Sequence, residues 1–153
     1  MAIPELDSRG LLPPGVHCCT LQEAEARFAV GPYRESLWHS VMKWLKIEVQ
    51  QQGVLLPLLI GGSFFSDKPN PGDIEIAIDL DGATAAQTGA AIIMFTRREE
   101  WHRVYRVDYY PNMPGGNDFG SFFQYVGPKT AQTKNLNPKD KRGILRVETW
   151  TLG

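Results

Sequence analysis

VLLPLLIGGSFFSDKPNPGDIEIAIDL, residues 54–80, holds an apolar run, a glycine pair, a serine, a proline-rich loop and a run of alternating acids and isoleucines. Residues 54–60 read as a short buried strand whose pairing begins after Pro57, because proline cannot donate to a ladder. Asp73, Glu75 and Asp79 alternate with Ile74, Ile76 and Ile78, the two-residue period of a half-buried strand. Residues two apart on a strand point the same way, so the Asp73 and Glu75 carboxylates project together. Like charges held that close repel unless something cationic sits between them. Hard oxygen ligands with open positions suit Mg²⁺ or Mn²⁺, which take one or two carboxylates plus substrate phosphates. Upstream, Gly61, Gly62 and Ser63 fall where a strand ends, and glycines there let backbone N–H groups approach a phosphate. The competing reading is a solvated edge strand after an ordinary turn.

Working outward, Thr20-Leu-Gln-Glu23 has capping-box spacing and predicts a helix that stops near Gly31. Pro32 suits the first turn of a second helix. There Leu37, Trp38, Val41, Met42, Leu45 and Val49 form one apolar stripe running until Gly53, with Trp38 and Trp44 read as core. Residues 83–95 read as an alanine-rich helix, 103–110 as a strand, 118–125 as a short helix and 143–150 as a closing strand. Asp108, between Val107 and Tyr109, offers a third carboxylate. The prolines and glycine of 1–19 predict an irregular N-terminal arm, leaving 20–153 as a single domain. Mixed helices and strands without a repeat give an α/β (α+β) class, a small mixed sheet with flanking helices.

Composition excludes several functions. The net charge of −1 creates no global field for nucleic acid, yet 129–146 carries six basic residues against Asp140 alone. Lys129, Lys134, Lys141 and Arg142 there can touch a triphosphate or RNA backbone, or can belong to a solvated connector. No apolar run approaches the roughly 20 residues that span a bilayer. The opening MAIPELDSRG lacks the pattern of a signal peptide. Adjacent Cys18 and Cys19 are poorly placed for a structural disulfide, so a reducing, cytoplasmic setting is expected.

Gly-Gly-Ser, nine intervening residues, Asp-Ile-Glu on a strand and an apolar-flanked Asp on a later strand together resemble the polymerase-β-like nucleotidyltransferase superfamily. The likeness is strongest to its small bacterial members, in LLPPGVH (11–17), GSFFSDKPNPGDIE (62–75), RVDYYP (106–111), FFQYVGPK (122–129) and KRGILRVE (141–148). The resemblance implies a minimal nucleotidyltransferase fold. It also implies that Asp73, Glu75 and Asp108 hold the metals, that Ser63 binds the phosphates, and that Asp108 helps activate the acceptor. Gly61, Gly62, Lys68 and Lys129 complete the expected phosphate contacts. The expected activity moves a nucleoside monophosphate from a nucleoside triphosphate to a hydroxyl of RNA or protein, as in toxin–antitoxin or phage-defence systems. With no second domain expected to hold a nucleobase or an acceptor, action with a partner is expected. A catalytically inactive binding module regulating a protein or RNA partner is the alternative. A hydrolase using the same acids ranks lower, since the sequence offers no obvious histidine base near them.

Overall fold

The computed structural model describes residues 3–153. Along the chain run β1 (Gly15–Cys18), α1 (Leu21–Phe28), α2 (Pro32–Trp44), β2 (Leu58–Gly61), β3 (Ile74–Asp79), α3 (Ala85–Met94), α4 (Arg98–Tyr105), β4 (Val107–Asn112), α5 (Phe119–Phe122), α6 (Pro128–Lys134) and β5 (Gly143–Val147). The fold is α+β, as expected: a five-stranded mixed sheet of order β1-β5-β2-β3-β4 with flanking helices. β2 runs antiparallel to both β3 and β5, while β1 lies parallel to β5 and β4 parallel to β3.

Local chemistry sets most boundaries. The Thr20 hydroxyl accepts from the Glu23 N–H while Glu23 reaches back to the Thr20 N–H, closing the capping box. Pro32 opens α2, which continues as a π turn over Leu45–Val49 and a 3₁₀ turn over Gln50–Gln52 before Gly53 ends it in the left-handed region. β2 begins directly after Pro57.

Alternation along the strands divides the sheet into two unequal faces. Leu58, Ile60, Ile74, Ile76, Ile78, Val107, Tyr109, Leu145 and Val147 join the main core with residues of α1, α2, α3 and α4. Trp38 and Trp44 are fully buried there, with the Trp44 ring edge-on to Trp101 at 5.5 Å. Truncating either of those α2 tryptophans to alanine costs about 3–5 kcal/mol. The second face carries only a small cluster, in which Phe119 and Phe123 cover Leu59, Ala77 and Ile144. Beyond that cover lie exposed Val16 and several polar side chains: at one end Asp79 pairs with Arg146 at 2.8 Å, and at the other stand Glu75 and Asp108.

Three expectations are corrected. Of the arm expected over 1–19, residues 1 and 2 lie outside the described residues, and 15–18 form β1 at the sheet edge. This pairing depends on Gly143, where a Cβ would stand 2.2 Å from the Pro13 carbonyl oxygen. Residues 103–105 are not strand: α4 continues to Tyr105, and Arg106 (φ 63°) turns the chain into β4. The basic segment is not a plain loop, since α6 begins with Pro128 and ends at the left-handed Asn135. Among the described residues, no helix is long and apolar enough to cross a membrane.

Candidate functional site

Gly61, Glu75 and Asp108 stand side by side across three strands. Gly61 is the register partner of Glu75 on β2, and Glu75 that of Asp108 on β4. Asp73 lies two residues before Glu75, at the mouth of β3. The structure therefore brings the three acids together at the open end of the thinly covered face. Glu75 sits deepest. Burial pushes its carboxyl up to about 7, a rise that Arg142 opposes and that Asp73 and Asp108 reinforce.

The outer two acids already have partners, both from α4. Arg98 reaches Asp108 Oδ1 with Nη2 at 2.8 Å and Nε at 2.9 Å, and donates from Nη2 to the Tyr110 hydroxyl. That hydroxyl in turn donates to Asp108 Oδ2 at 2.9 Å. Burial, then the charge of Asp108, pushes the Tyr110 phenol up to about 12, so it remains a donor at neutral pH. His102 Nε2 lies 2.9 Å from Asp73 Oδ2. A histidine thus stands beside the acids after all, which corrects the sequence-based expectation. Because 103–110 reads as one strand, α4 and its cations were missed; Trp101 and Tyr105, four residues apart, were the available helical signal.

Arg142, just before β5, is the third basic residue near the acids. It is 8% exposed, and its Nε and Nη1 are buried without a hydrogen-bond partner. An orphaned buried donor costs about 1–3 kcal/mol. Burial lowers its pKa, and the charge of Glu75 counters this.

The glycine-serine turn behaves differently at each position. Gly61 is a strand residue beneath α5, where a Cβ would meet Phe123 Cβ at 3.3 Å, so close packing is reason enough for a glycine there. Gly62 has φ 102° and ψ −179°, and it passes the chain into a 3₁₀ turn at Ser63–Phe65. That region is open essentially to glycine alone. Gly62→Ala is therefore expected to lower stability by about 1–3 kcal/mol, read as a fall in melting temperature. An unchanged melting curve would remove the backbone argument. Ser63, Lys68 and Lys129 line one cavity of about 240 Å³, together with Thr133 and Lys134. Arg34 pins the loop beneath them by donating to the Phe64, Ser66 and Lys68 carbonyls at 2.6, 2.9 and 2.7 Å.

Much of the basic segment is engaged within the chain. Lys134 pairs with Asp67 at 2.8 Å, Lys141 lies over the Tyr125 ring at 4.5 Å, and Arg146 bridges Asp79 and Glu148.

The donor set suits a divalent cation, with three hard carboxylates gathered together and the deepest resisting ionisation because it is buried. Among the described residues, no group of three or more His, Cys, Asp or Glu is already disposed to hold a metal. For all three acids to serve as ligands, Arg98 and His102 must give up their present contacts.

A family model covers residues 4–148. The chain belongs to a family of unknown function, DUF6932. No curated protein and no solved structure matches it. Membership spans nearly the whole domain and assigns no chemistry, which leaves the geometry to carry the functional reading.

Proposed function

We propose that this DUF6932 protein is a metal-dependent nucleotidyltransferase of the polymerase-β-like kind, moving a nucleoside monophosphate from a nucleoside triphosphate to a hydroxyl of RNA or protein. One observation carries the reading: Asp73, Glu75 and Asp108 gather on an open sheet face at the same end as a lysine-lined cavity reached by Ser63. Asp73, Glu75 and Asp108 would hold Mg²⁺ or Mn²⁺, which when bound neutralises a triphosphate and makes an acceptor hydroxyl more acidic. Lys68, Lys129 and the Ser63 hydroxyl bind the phosphates. Arg142 adds fixed positive charge behind Glu75. Arg98 exchanges its Asp108 contact for substrate phosphate, and His102 gives up its contact with Asp73 as the metal binds. Asp108 accepts the proton of the acceptor hydroxyl as the hydroxyl oxygen bonds to the α-phosphorus, and the α–β anhydride bond breaks to release pyrophosphate.

The side-chain contacts favour a second reading, a non-catalytic module, because Asp73 and Asp108 are already engaged by His102 and Arg98 of the same chain. Incubation with each α-labelled nucleoside triphosphate, Mg²⁺ and cell lysate or total RNA separates the two. Covalent label on RNA or protein, dependent on metal, is the expected result. Saturable nucleotide binding with no label under any condition would leave the binding module.

A further inference from the structure

A second and larger cavity, about 750 Å³, opens on the β4 side of the acids. We propose that it binds a planar heteroaromatic ring, the base of the donor nucleotide, an inference that rests on the transferase reading above. Its volume lies within the range of small-molecule pockets, roughly 300–1,000 Å³. Phe95, Tyr110, Phe119, Phe122 and Tyr125 line it, with Met113 at the rim. Tyr110 and Phe119 already stack on each other, with centroids 4.7 Å apart and planes 29° apart, and form the aromatic floor of the cavity. Phe95, Phe122 and Tyr125 remain 41%, 57% and 41% exposed, an unusual outlay of ring surface beside a concavity.

Position and charge specify the occupant further. The Tyr110 hydroxyl lies 2.9 Å from Asp108 Oδ2, so the platform adjoins the acids directly. At that same end the Arg98 guanidinium lies 4.5 Å from the Tyr110 centroid and 5.7 Å from that of Phe95. Arg98 is paired with Asp108 there, and Asn117, Asp118 and Ser121 add polar groups to the otherwise largely apolar lining, partners for the edge of a heteroaromatic ring. Across the sheet, the Ser63 turn follows β2, the deepest acid is on β3 and the aromatic cavity flanks β4. Phosphates, reacting centre and base follow the same order in a nucleotide. An aromatic cavity within this one domain supplies what the sequence was expected to lack.

The test titrates the full chain, without metal, with adenosine and uridine as probes of the ring and with tripolyphosphate as a probe of the anion cavity, by calorimetry or ligand-observed NMR. Adenosine is expected to saturate. Phe122→Ala, at an exposed position, should weaken it on the order of tenfold, since each stacked base depends on its aromatic platform. Phe122→Tyr should restore it, and neither variant should change tripolyphosphate binding. If Phe122→Ala fails to fold, Met113→Trp, which fills the mouth from an exposed site, should give the same loss. Absent saturation by either nucleoside, or equal adenosine affinity in wild type and variant, overturns the proposal. So does a change in sedimentation with Phe122→Ala and none in nucleoside affinity, which would assign the rings to self-association. Nucleoside binding without transfer keeps the pocket and removes the catalytic reading. Transfer with an unchanged KM in Phe122→Ala does the reverse.

Discussion

Asp73→Asn and Asp108→Asn are each expected, under the proposed transferase function, to lower nucleotidyl transfer by on the order of 10³-fold. A metal ion supplies several kcal/mol of transition-state stabilisation, and about 4 kcal/mol corresponds to that factor. Asparagine keeps the shape and one oxygen but loses the charge that holds a divalent cation. Both residues also belong to ion pairs, Asp73 with His102 and Asp108 with Arg98, so a purely structural role needs a separate measure. Exposed pairs contribute little stability, about 0–1 kcal/mol. A structural role thus predicts a small drop in melting temperature and no selective loss of transfer. The catalytic role predicts the reverse weighting, together with loss of any stabilisation by Mn²⁺ plus nucleoside triphosphate. Wild-type transfer rates in both variants would falsify the assignment of these acids as metal ligands.

Glu75→Gln is expected to raise the melting temperature of the metal-free protein at pH 8 and, under the proposed function, to abolish transfer. In the folded chain Glu75 titrates at about 7, against 4.5 for its ordinary value, chiefly because it is buried. The raised value means that the protonated form is the comfortable one. Stability is full below about 4.5, falls as the pH rises towards 7, and then levels off. Each decade of displacement is worth about 1.4 kcal/mol, so charging Glu75 costs about 3 kcal/mol. Glutamine escapes that cost and corresponds to a gain of roughly 5–10 °C in a domain of this size. Arg142 loses its counter-charge in the variant, which reduces the gain without reversing it, since burial outweighs that attraction. Asp73 and Asp108 add repulsion that the variant also removes. Thermal melts in a chelator from pH 4 to pH 8 make the check. Wild type and variant should coincide near pH 4 and diverge above it; parallel curves throughout would mean that Glu75 is not desolvated.

The contrast between these acids also revises the sequence-based view of the site. The spacing of Asp73 and Glu75 leads to an expectation of mutual repulsion. In the fold, Arg98 and His102 of α4 engage the outer two acids, and the unfavourable charge is concentrated on buried Glu75. Carboxylate spacing along one strand is local, and the alternation around Ile74, Ile76 and Ile78 made the same-face placement legible. The position of Arg98 and His102 depends on how α4 packs beside β4, a long-range outcome that no spacing encodes.

By itself, the sequence determined the elements whose causes lie within a few residues. Thr20 with Glu23 starts α1, Pro32 starts α2, Pro57 delays β2, and period two sets the buried face of β3. It also supplied the three acids and the glycine-serine turn, because strand geometry alone aligns neighbours two apart. Only the tertiary structure decided that Asp108 stands beside Glu75, that Arg142 is buried near it, and that Ser63, Lys68 and Lys129 share a cavity. It likewise made β1 from 15–18, a segment with no pattern of its own, by pairing it with β5 at the far end of the chain. Those contacts form between residues distant in the chain, where register and packing of whole elements, not local propensity, decide which side chains meet.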